Sequence, residues 1–300
     1  MLGEHYLSIY VTSDLHGYPL NKLQNKLKEI GFDFDDHLYI LGDCIDRGSD
    51  GLQLLRWIMS QPNVTLLLGN HEAMLLDNRF LFDGDSVPAA LDLKGEQRNS
   101  YCVWTSNGGY ATIDAMQQFS DAQIKHIFRF LEKAPLYKEI EVNGNRFILT
   151  HSGLGSFAPD KPLSKYSRFD LLWTRPSLNT RYYEDGRKVI FGHTPTVLLG
   201  PEYKGKPIFA DTWIDIDVGA GIGMNPALLR LDDFKVIYFE PQYISNTYNF
   251  IILCKRTGFL LRFAFFISPF KATLLKCGIY NISIMRNAGG CPIWTKSLNL

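Results

Sequence analysis

The sequence predicts an α/β fold, on two observations. Three apolar runs, Ser8–Thr12 (SIYVT), His37–Leu41 (HLYIL) and Val64–Leu68 (VTLLL), recur about every 27 residues with helix-periodic stretches between them. Each run is apolar nearly throughout, as in strands of a sheet covered on both faces. Each also ends in a short polar signature, and in α/β sheets ligands bind beyond the carboxyl ends of the strands.

The elements follow in order. Ser8–Thr12 leads into Ser13-Asp14-Leu15-His16-Gly17, and Pro19 opens a helix whose Leu20, Leu23, Leu27 and Ile30 share one face before Gly31 closes it. His37–Leu41 ends at Gly42-Asp43, and a helix follows over 51–60 with Leu52, Leu54, Leu55, Trp57 and Ile58 as its apolar face. That face is core, not a cofactor box. Val64–Leu68 ends at Gly69-Asn70-His71-Glu72. Residues 78–110 have weak periodicity and several turn formers, so they read as a cap or loop excursion. Ser120 caps a helix over 121–133. Lys138–Val142 and Arg146–Thr150 flank Asn143-Gly144, a hairpin signal. Val189–Phe191 is the next strand, and others are expected at 207–210, 214–218, 227–231 and 236–239. The stretch 154–187, with 78–110, is expected to shape the mouth of any cleft.

The 300 residues carry 31 basic and 31 acidic side chains, and this neutral total speaks against a nucleic-acid or membrane-surface protein. The total averages two unlike parts. Residues 1–240 hold all 31 acidic residues and 24 basic ones, net −7; residues 241–300 hold 7 basic residues and no acid, net +7. No run reaches the roughly 18 apolar residues of a membrane span; Gly258–Phe270 comes nearest and is broken by Arg262. The start, Met1-Leu2-Gly3-Glu4-His5, lacks the pattern of a signal peptide. Of five cysteines only Cys44 and Cys102 lie in the acidic part, without a CxxC partner, which suits a reducing cytoplasm. Cys44 reads as a small buried filler in preference to a redox switch.

Five apolar runs end in Asp14-x-His16, Asp43, Asn70-His71, His151 and His193. One histidine after a strand is ordinarily structural, and His5, His37 and His126 keep that reading. Four of the seven histidines in this position together with carboxylates point to a metal site. The mixed N/O set suits Mn, Fe or Zn better than Ca. Asp14, His16, Asp43, Asn70, His151 and His193 are six candidate ligands. That is more than one catalytic zinc takes and enough for two metals bridged by one carboxylate.

Asp14-Leu15-His16-Gly17, Gly42-Asp43-Cys44-Ile45-Asp46-Arg47-Gly48 and Gly69-Asn70-His71-Glu72, in this order and spacing, resemble the three signatures of the PPP-type serine/threonine phosphoprotein phosphatases. His151 and Gly192-His193-Thr194 match that family's remaining ligand histidines. Asn107-Gly108-Gly109, Trp173-Thr174-Arg175 and Asp217-Val218-Gly219-Ala220 are similar to its compact bacterial and phage type. The resemblance covers about residues 6–240. It implies a calcineurin-like metallophosphatase sandwich, two mixed β-sheets flanked by helices, with a dimetal site at strand ends. It implies Asp14, His16 and Asp43 on one metal and Asp43, Asn70, His151 and His193 on the other, manganese being the expected ion. A hydroxide between the metals would attack phosphorus directly. Arg47 and Arg175 would hold the phosphoryl oxygens. His71 would protonate the leaving alkoxide with Asp46 fixing its tautomer, and Glu72 would support its neighbours. Arg168, Arg181 and Arg187 compete with Arg175 for its role. One departure is Ser13, where the family usually has Gly.

The expected activity is hydrolysis of phosphoserine and phosphothreonine on protein or peptide, with phosphotyrosine as an extension, by a monomer. The alternative is a symmetrical diadenosine tetraphosphate hydrolase, a type that tends to lack the Asp at position 46 and to carry Asp at position 72. A non-catalytic binding protein on the same scaffold is disfavoured because no ligand has been lost. Residues 241–300, with ten aromatics and three cysteines, carry no catalytic signature. They read as an adhesion segment, a dispensable subdomain, or sequence not native to the domain such as translation past a frameshift, the last being favoured.

Overall fold

The first strands and helices succeed one another as the spacing predicts: β1 (Ile9–Thr12), α1 (Leu20–Glu29), β2 (His37–Ile40), α2 (Gly51–Ser60) and β3 (Val64–Leu66). The computed structural model describes residues 8–83 and 92–239, and the backbone of 248–253, 260–265, 281–286 and 292–297. The chain divides into two compact units, residues 1–242 and 243–300. In the first unit, β1, β2 and β3 are parallel, so α1 and α2 are crossovers. Their apolar stripes bury Leu23 and Leu27, and Leu52, Leu54, Leu55 and Ile58.

The excursion expected at 78–110 differs from what folds. The Gly69-Asn70-His71-Glu72 signature opens a helix, α3 (Asn70–Asp77), and α4 (Gly95–Ser106) and α5 (Tyr110–Met116) follow. Within α4 only Trp104 and Thr105 are buried, so it has no apolar stripe to read. It is held by what Trp104 reaches. Residues 84–91 of the expected excursion lie outside the described residues. In α6 (Asp121–Leu131) Ser120 Oγ accepts the Gln123 N–H, and Gln123 Oε1 accepts the Ser120 N–H at 2.9 Å, a reciprocal cap.

β4 (Tyr137–Val142) and β5 (Asn145–Thr150) form the expected hairpin, with Asn143 (φ 50°) and Gly144 (φ 77°) both left-handed, as a type I′ turn requires. The remaining elements are α7 (Arg168–Leu172), β6 (Lys188–Phe191), β7 (Ile208–Phe209), β8 (Trp213–Asp215), β9 (Ala227–Arg230) and β10 (Val236–Tyr238). They complete two five-stranded mixed sheets, ordered β10-β9-β1-β2-β3 and β4-β5-β6-β8-β7. Val11, Leu41 and Leu229 from the first sheet pack on Leu149, Ile190 and Ile214 from the second, forming one interlayer core. Each fully buried aliphatic there contributes about 1.5–3 kcal/mol by leaving water. Helices α1, α2, α3 and α6 cover the outer face of the first sheet, and residues 154–183 that of the second. The result is a sandwich of two mixed sheets flanked by helices.

In the second unit, β11 (Tyr248–Leu253) pairs antiparallel with β12 (Leu260–Phe265), and β13 (Asn281–Arg286) with β14 (Pro292–Ser297). The tail cysteines Cys254, Cys277 and Cys291 lie outside the described residues.

The β9–β10 turn supplies a test of local electrostatics. Arg230 grips Asp233 with Nε at 2.9 Å and Nη2 at 2.6 Å, and these hydrogen bonds hold the Asp233 carboxyl down to about 2. A carboxyl with a lowered folded pKa stabilises the fold above its unfolded value and loses that contribution as pH falls through about 2. The pair is half exposed, so the contribution is small. Asp233→Asn is expected to lower the thermal midpoint slightly at pH 6 and by much less at pH 2; an equal loss at both would refute it.

Candidate active site

The expected site residues converge from both sheets. Asp14, Asp43 and Asn70-His71 follow β1, β2 and β3 of one sheet, and His151 and His193 follow β5 and β6 of the other. They meet at one end of the seam between the layers. The loops there take conformations that side chains resist: Asp14 (φ 53°), His16 (φ 43°), Asp43 (φ 55°), Asp46 (φ 68°), Arg47 (φ 64°) and His193 (φ 68°) are all left-handed. Each such residue costs of order 1 kcal/mol and persists where the surroundings over-determine it.

Glu72 is the main determinant. Its fully buried carboxylate accepts the N–H groups of Asp43 (2.8 Å), Cys44 (2.8 Å), Ile45 (3.3 Å) and Gly69 (3.1 Å). Burial pushes the Glu72 carboxyl up, and the Asp43 and Cys44 amides pull it back. Asp43 is further fixed by the His71 N–H on Oδ1 at 3.0 Å. Asp14 Oδ2 accepts the His193 N–H at 2.9 Å, joining the two sheets. Gly192 leaves room for this, since a Cβ there would run into Asp14 and Ser13.

The imidazoles have defined tautomers. His16 donates Nδ1–H to the Ile45 carbonyl (3.2 Å) and His151 donates Nδ1–H to the Leu41 carbonyl (2.7 Å). Both Nε2 atoms therefore carry lone pairs facing the site. His16 Nε2 lies 3.7 Å from Asp43 Oδ2 and 3.9 Å from Asp14 Oδ1. His151 Nε2 lies 2.8 Å from Asn70 Oδ1, which is also 2.8 Å from His193 Nδ1. Burial lowers the pKa of His16, and the neighbouring His71 lowers it further; burial and His151 do the same to His193. Burial and the Asp14 charge push Asp43 well above the usual carboxylate range.

Neutral imidazole lone pairs, an amide oxygen and carboxylates converging in a buried space are a donor set that fits divalent cations. Two groups of donors fall within mutual reach, His16–Asp43–His71 and Asp43–His151–His193, and Asp43 is common to both. Asp14 stands at the edge of the first group and Asn70 within the second.

His71 and Arg47 lie beside the donors. His71 donates Nδ1–H to Asp46 Oδ2 at 2.6 Å. Its Nε2 faces Arg47 Nη2 at 3.3 Å and Asp43 Oδ2 at 3.7 Å. Burial, and then the Arg47 charge, lower the His71 pKa. Burial pushes the Asp46 carboxyl up to about 7, against hydrogen bonds from Thr112 and Trp104. Arg175 lines the same cleft of about 500 Å³, its Nη1 on the His193 carbonyl (3.3 Å) and Thr194 Oγ1 (3.1 Å). The other arginines point elsewhere: Arg168 pairs with Asp77, Arg181 with Asp211 and Arg187 with Asp185. Cys44 is buried against the core and Cys102 is exposed, both as free thiols.

Sequence reasoning missed Trp104 and Thr112, and Thr194 appeared only as part of Gly192-His193-Thr194 with no role of its own. Trp104 sits in the weakly periodic stretch and Thr112 just beyond it, with Asn107-Gly108-Gly109 between them as the only signal. Asp217, seen only as part of a resembling motif, is a buried carboxyl at the cleft wall that burial and the Asp14 charge push upward.

Residues 7–237 match the family model described as calcineurin-like phosphoesterase. Among curated proteins, serine/threonine-protein phosphatase 2 of Escherichia coli (strain K12) is 30% identical over 206 residues, covering 64% of this chain and 81% of that protein. The symmetrical bis(5'-nucleosyl)-tetraphosphatase of Erwinia tasmaniensis is 39% identical over 151 residues, covering 49% of this chain and 45% of that one. A crystal structure provisionally described as a diadenosine tetraphosphatase superposes with a TM-score of 0.53 at 14% identity, covering 80% of this chain and 96% of that chain. It speaks for the fold.

The four amides on Glu72 give a sharp test. Glu72→Gln would set an NH₂ group against N–H donors, and is expected to cost about 3 kcal/mol of stability. A thermal midpoint equal to that of the parent protein would show that the carboxylate does not organise the loops.

Proposed function

The chain belongs to the calcineurin-like phosphoesterase family, as a metallophosphatase, and from that premise we propose that it is a serine/threonine protein phosphatase. Its substrate would be a phosphoprotein or phosphopeptide carrying phosphoserine or phosphothreonine, with phosphotyrosine as an extension. The observation that carries the reading is the buried Asp46–His71 pair at 2.6 Å, opening on the same cleft as the Asp43 donor groups. Serine and threonine leave as strongly basic alkoxides, which need a proton as the P–O bond breaks. A nucleotide phosphate leaving from an anhydride needs it far less.

Asp14, His16 and Asp43 would hold one divalent cation, and Asp43, Asn70, His151 and His193 a second, with manganese first and iron or zinc as alternatives. Bound there, the cations supply Lewis acidity and lower the pKa of water. The chain's own residues do the rest. Arg47 and Arg175 line the cleft and would bind the phosphoryl oxygens, for which a planar guanidinium is suited. Binding phosphate draws Arg47 off His71 Nε2 and leaves that nitrogen for the leaving oxygen. Asp46 holds the Nδ1 proton and stabilises the imidazolium, so Nε2 is the atom that gives its proton up. Water supplies the oxygen that replaces the alcohol and, as its O–H bond breaks, the proton that His71 Nε2 takes up and passes to the leaving oxygen.

The tetraphosphatase reading is the second one, favoured by the 39% match over half the chain. Turnover of a phosphoserine peptide against diadenosine tetraphosphate separates them; exclusive hydrolysis of the dinucleotide would overturn our choice. His71→Asn is expected to lower peptide turnover roughly 10²–10⁴-fold with metal content unchanged, and Asp43→Asn to lower metal stoichiometry as well as rate. A His71→Asn enzyme of parental activity would remove His71 from the acid role.

A cytoplasmic, monomeric protein is part of the same proposal, Cys44 and Cys102 both being free thiols. No helix among the described residues is long and apolar enough to cross a membrane. We further propose that 1–240 is the catalytic domain and that 241–300 is not native to it. Removing 241–300 is expected to leave phosphatase activity intact, and collapse of the shortened protein would refute this.

A further inference from the structure

Asp46 has two side-chain donors besides His71, both from the helices that weak periodicity concealed. Oδ2, which takes His71 Nδ1–H at 2.6 Å, also accepts from Trp104 Nε1 at 2.8 Å. Oδ1 accepts from Thr112 Oγ1 at 2.5 Å, and the same hydroxyl oxygen accepts the Asp46 N–H at 3.1 Å. Asp46 and Trp104 are wholly buried and Thr112 nearly so. Gly109 makes room for the indole, since a Cβ there would strike the Trp104 ring. A carboxylate rotates broadly about its last torsion. Three fixed donors on its two oxygens remove that freedom and hold Asp46 in its left-handed backbone.

We propose that Trp104 and Thr112 are positioning residues for proton transfer by His71, acting through Asp46, which they lock so that the imidazole presents Nε2 to the cleft. The step they serve is the one assigned above, so this inference rests on the phosphatase reading. As the P–O bond breaks, the Nε2 proton goes to the leaving oxygen and the imidazolium becomes neutral. Neither Trp104 nor Thr112 lines the cleft. Their influence is therefore selective. It matters where the leaving alkoxide must be protonated, and little where p-nitrophenolate departs unprotonated.

The test uses the full chain. Trp104→Phe and Thr112→Val are compared on a phosphoserine peptide and on p-nitrophenyl phosphate, together with the downfield proton resonance of His71 Nδ1–H. For both variants kcat on the peptide is expected to fall about 10- to 100-fold, with KM within about 2-fold. On p-nitrophenyl phosphate the fall is about 3-fold or less. The His71 resonance, which Asp46→Asn abolishes, should shift or broaden in both. Thr112→Ser keeps the hydroxyl and should restore the peptide rate and the resonance. Equal losses on the two esters with an unchanged resonance would overturn the proposal, as would Thr112→Ser behaving like Thr112→Val. If the parent protein hydrolyses neither ester, the phosphatase reading fails, and the resonance still decides the positioning. A signal unaltered by Trp104→Phe and Thr112→Val refutes it, and a displaced signal upholds it.

Discussion

The carboxylate of Glu72 lies wholly buried beneath the donor cluster, taking the amide protons of Asp43, Cys44, Ile45 and Gly69. An ionised group so placed is tolerated only with its hydrogen bonds complete. The chain around it must supply them. Meeting that demand forces the loop after β2 to fold back over the start of α3. Asp43 takes a left-handed backbone there, and its carboxylate comes to rest on the His71 amide. A Cβ on Gly69 would run into the Asp43 carboxylate, and one on Gly42 into the Gly69 backbone. The two glycines of the signatures thus belong to the same constraint as the charge.

From that anchor the site extends in two directions. Across the seam, the His193 amide on Asp14 and the His151 Nδ1–H on the Leu41 carbonyl tie the second sheet to the first. Donors that arise 179 residues apart then share one buried space. Toward the helices, Asp46 ties α3 to α4 and α5 through His71, Trp104 and Thr112. The interlayer core makes the first link rigid, and the helix-side core around Met74, Trp104 and Ile113 the second, because close-packed apolar groups do not slide. The strained backbone at Asp14, His16, Asp43, Asp46, Arg47 and His193 is stabilised by these partners and gathered around the donors.

Much of this was legible in the residues. Hydrophobic runs of the right length placed β1, β2, β5 and β6, and α1 and α2 showed their stripes because each packs one face on a sheet. Asp14, His16, Asp43, Asn70, His71, His151 and His193 stood out because short polar signatures interrupted apolar runs. What escaped was anything whose reason lies across the fold. Helix α4 is polar on most of its surface and buries chiefly Trp104 and Thr105, so periodicity had nothing to detect. The choice among Arg168, Arg175, Arg181 and Arg187 also escaped, since four arginines within twenty residues look alike until their partners are known.

The sequence by itself therefore determined the layered α/β architecture and singled out the candidate metal donors. Both follow from local chemistry: side-chain periodicity and residue types that few other sites require. Only the tertiary structure decided which donors face each other, that Asp43 is common to both groups, and that Arg175 is the arginine in the cleft. It also decided that Trp104 and Thr112 complete the Asp46 carboxylate. The contacts to Asp46 join residues 58 and 66 positions apart, where a hydrogen bond is specified by packing and leaves no trace in local sequence.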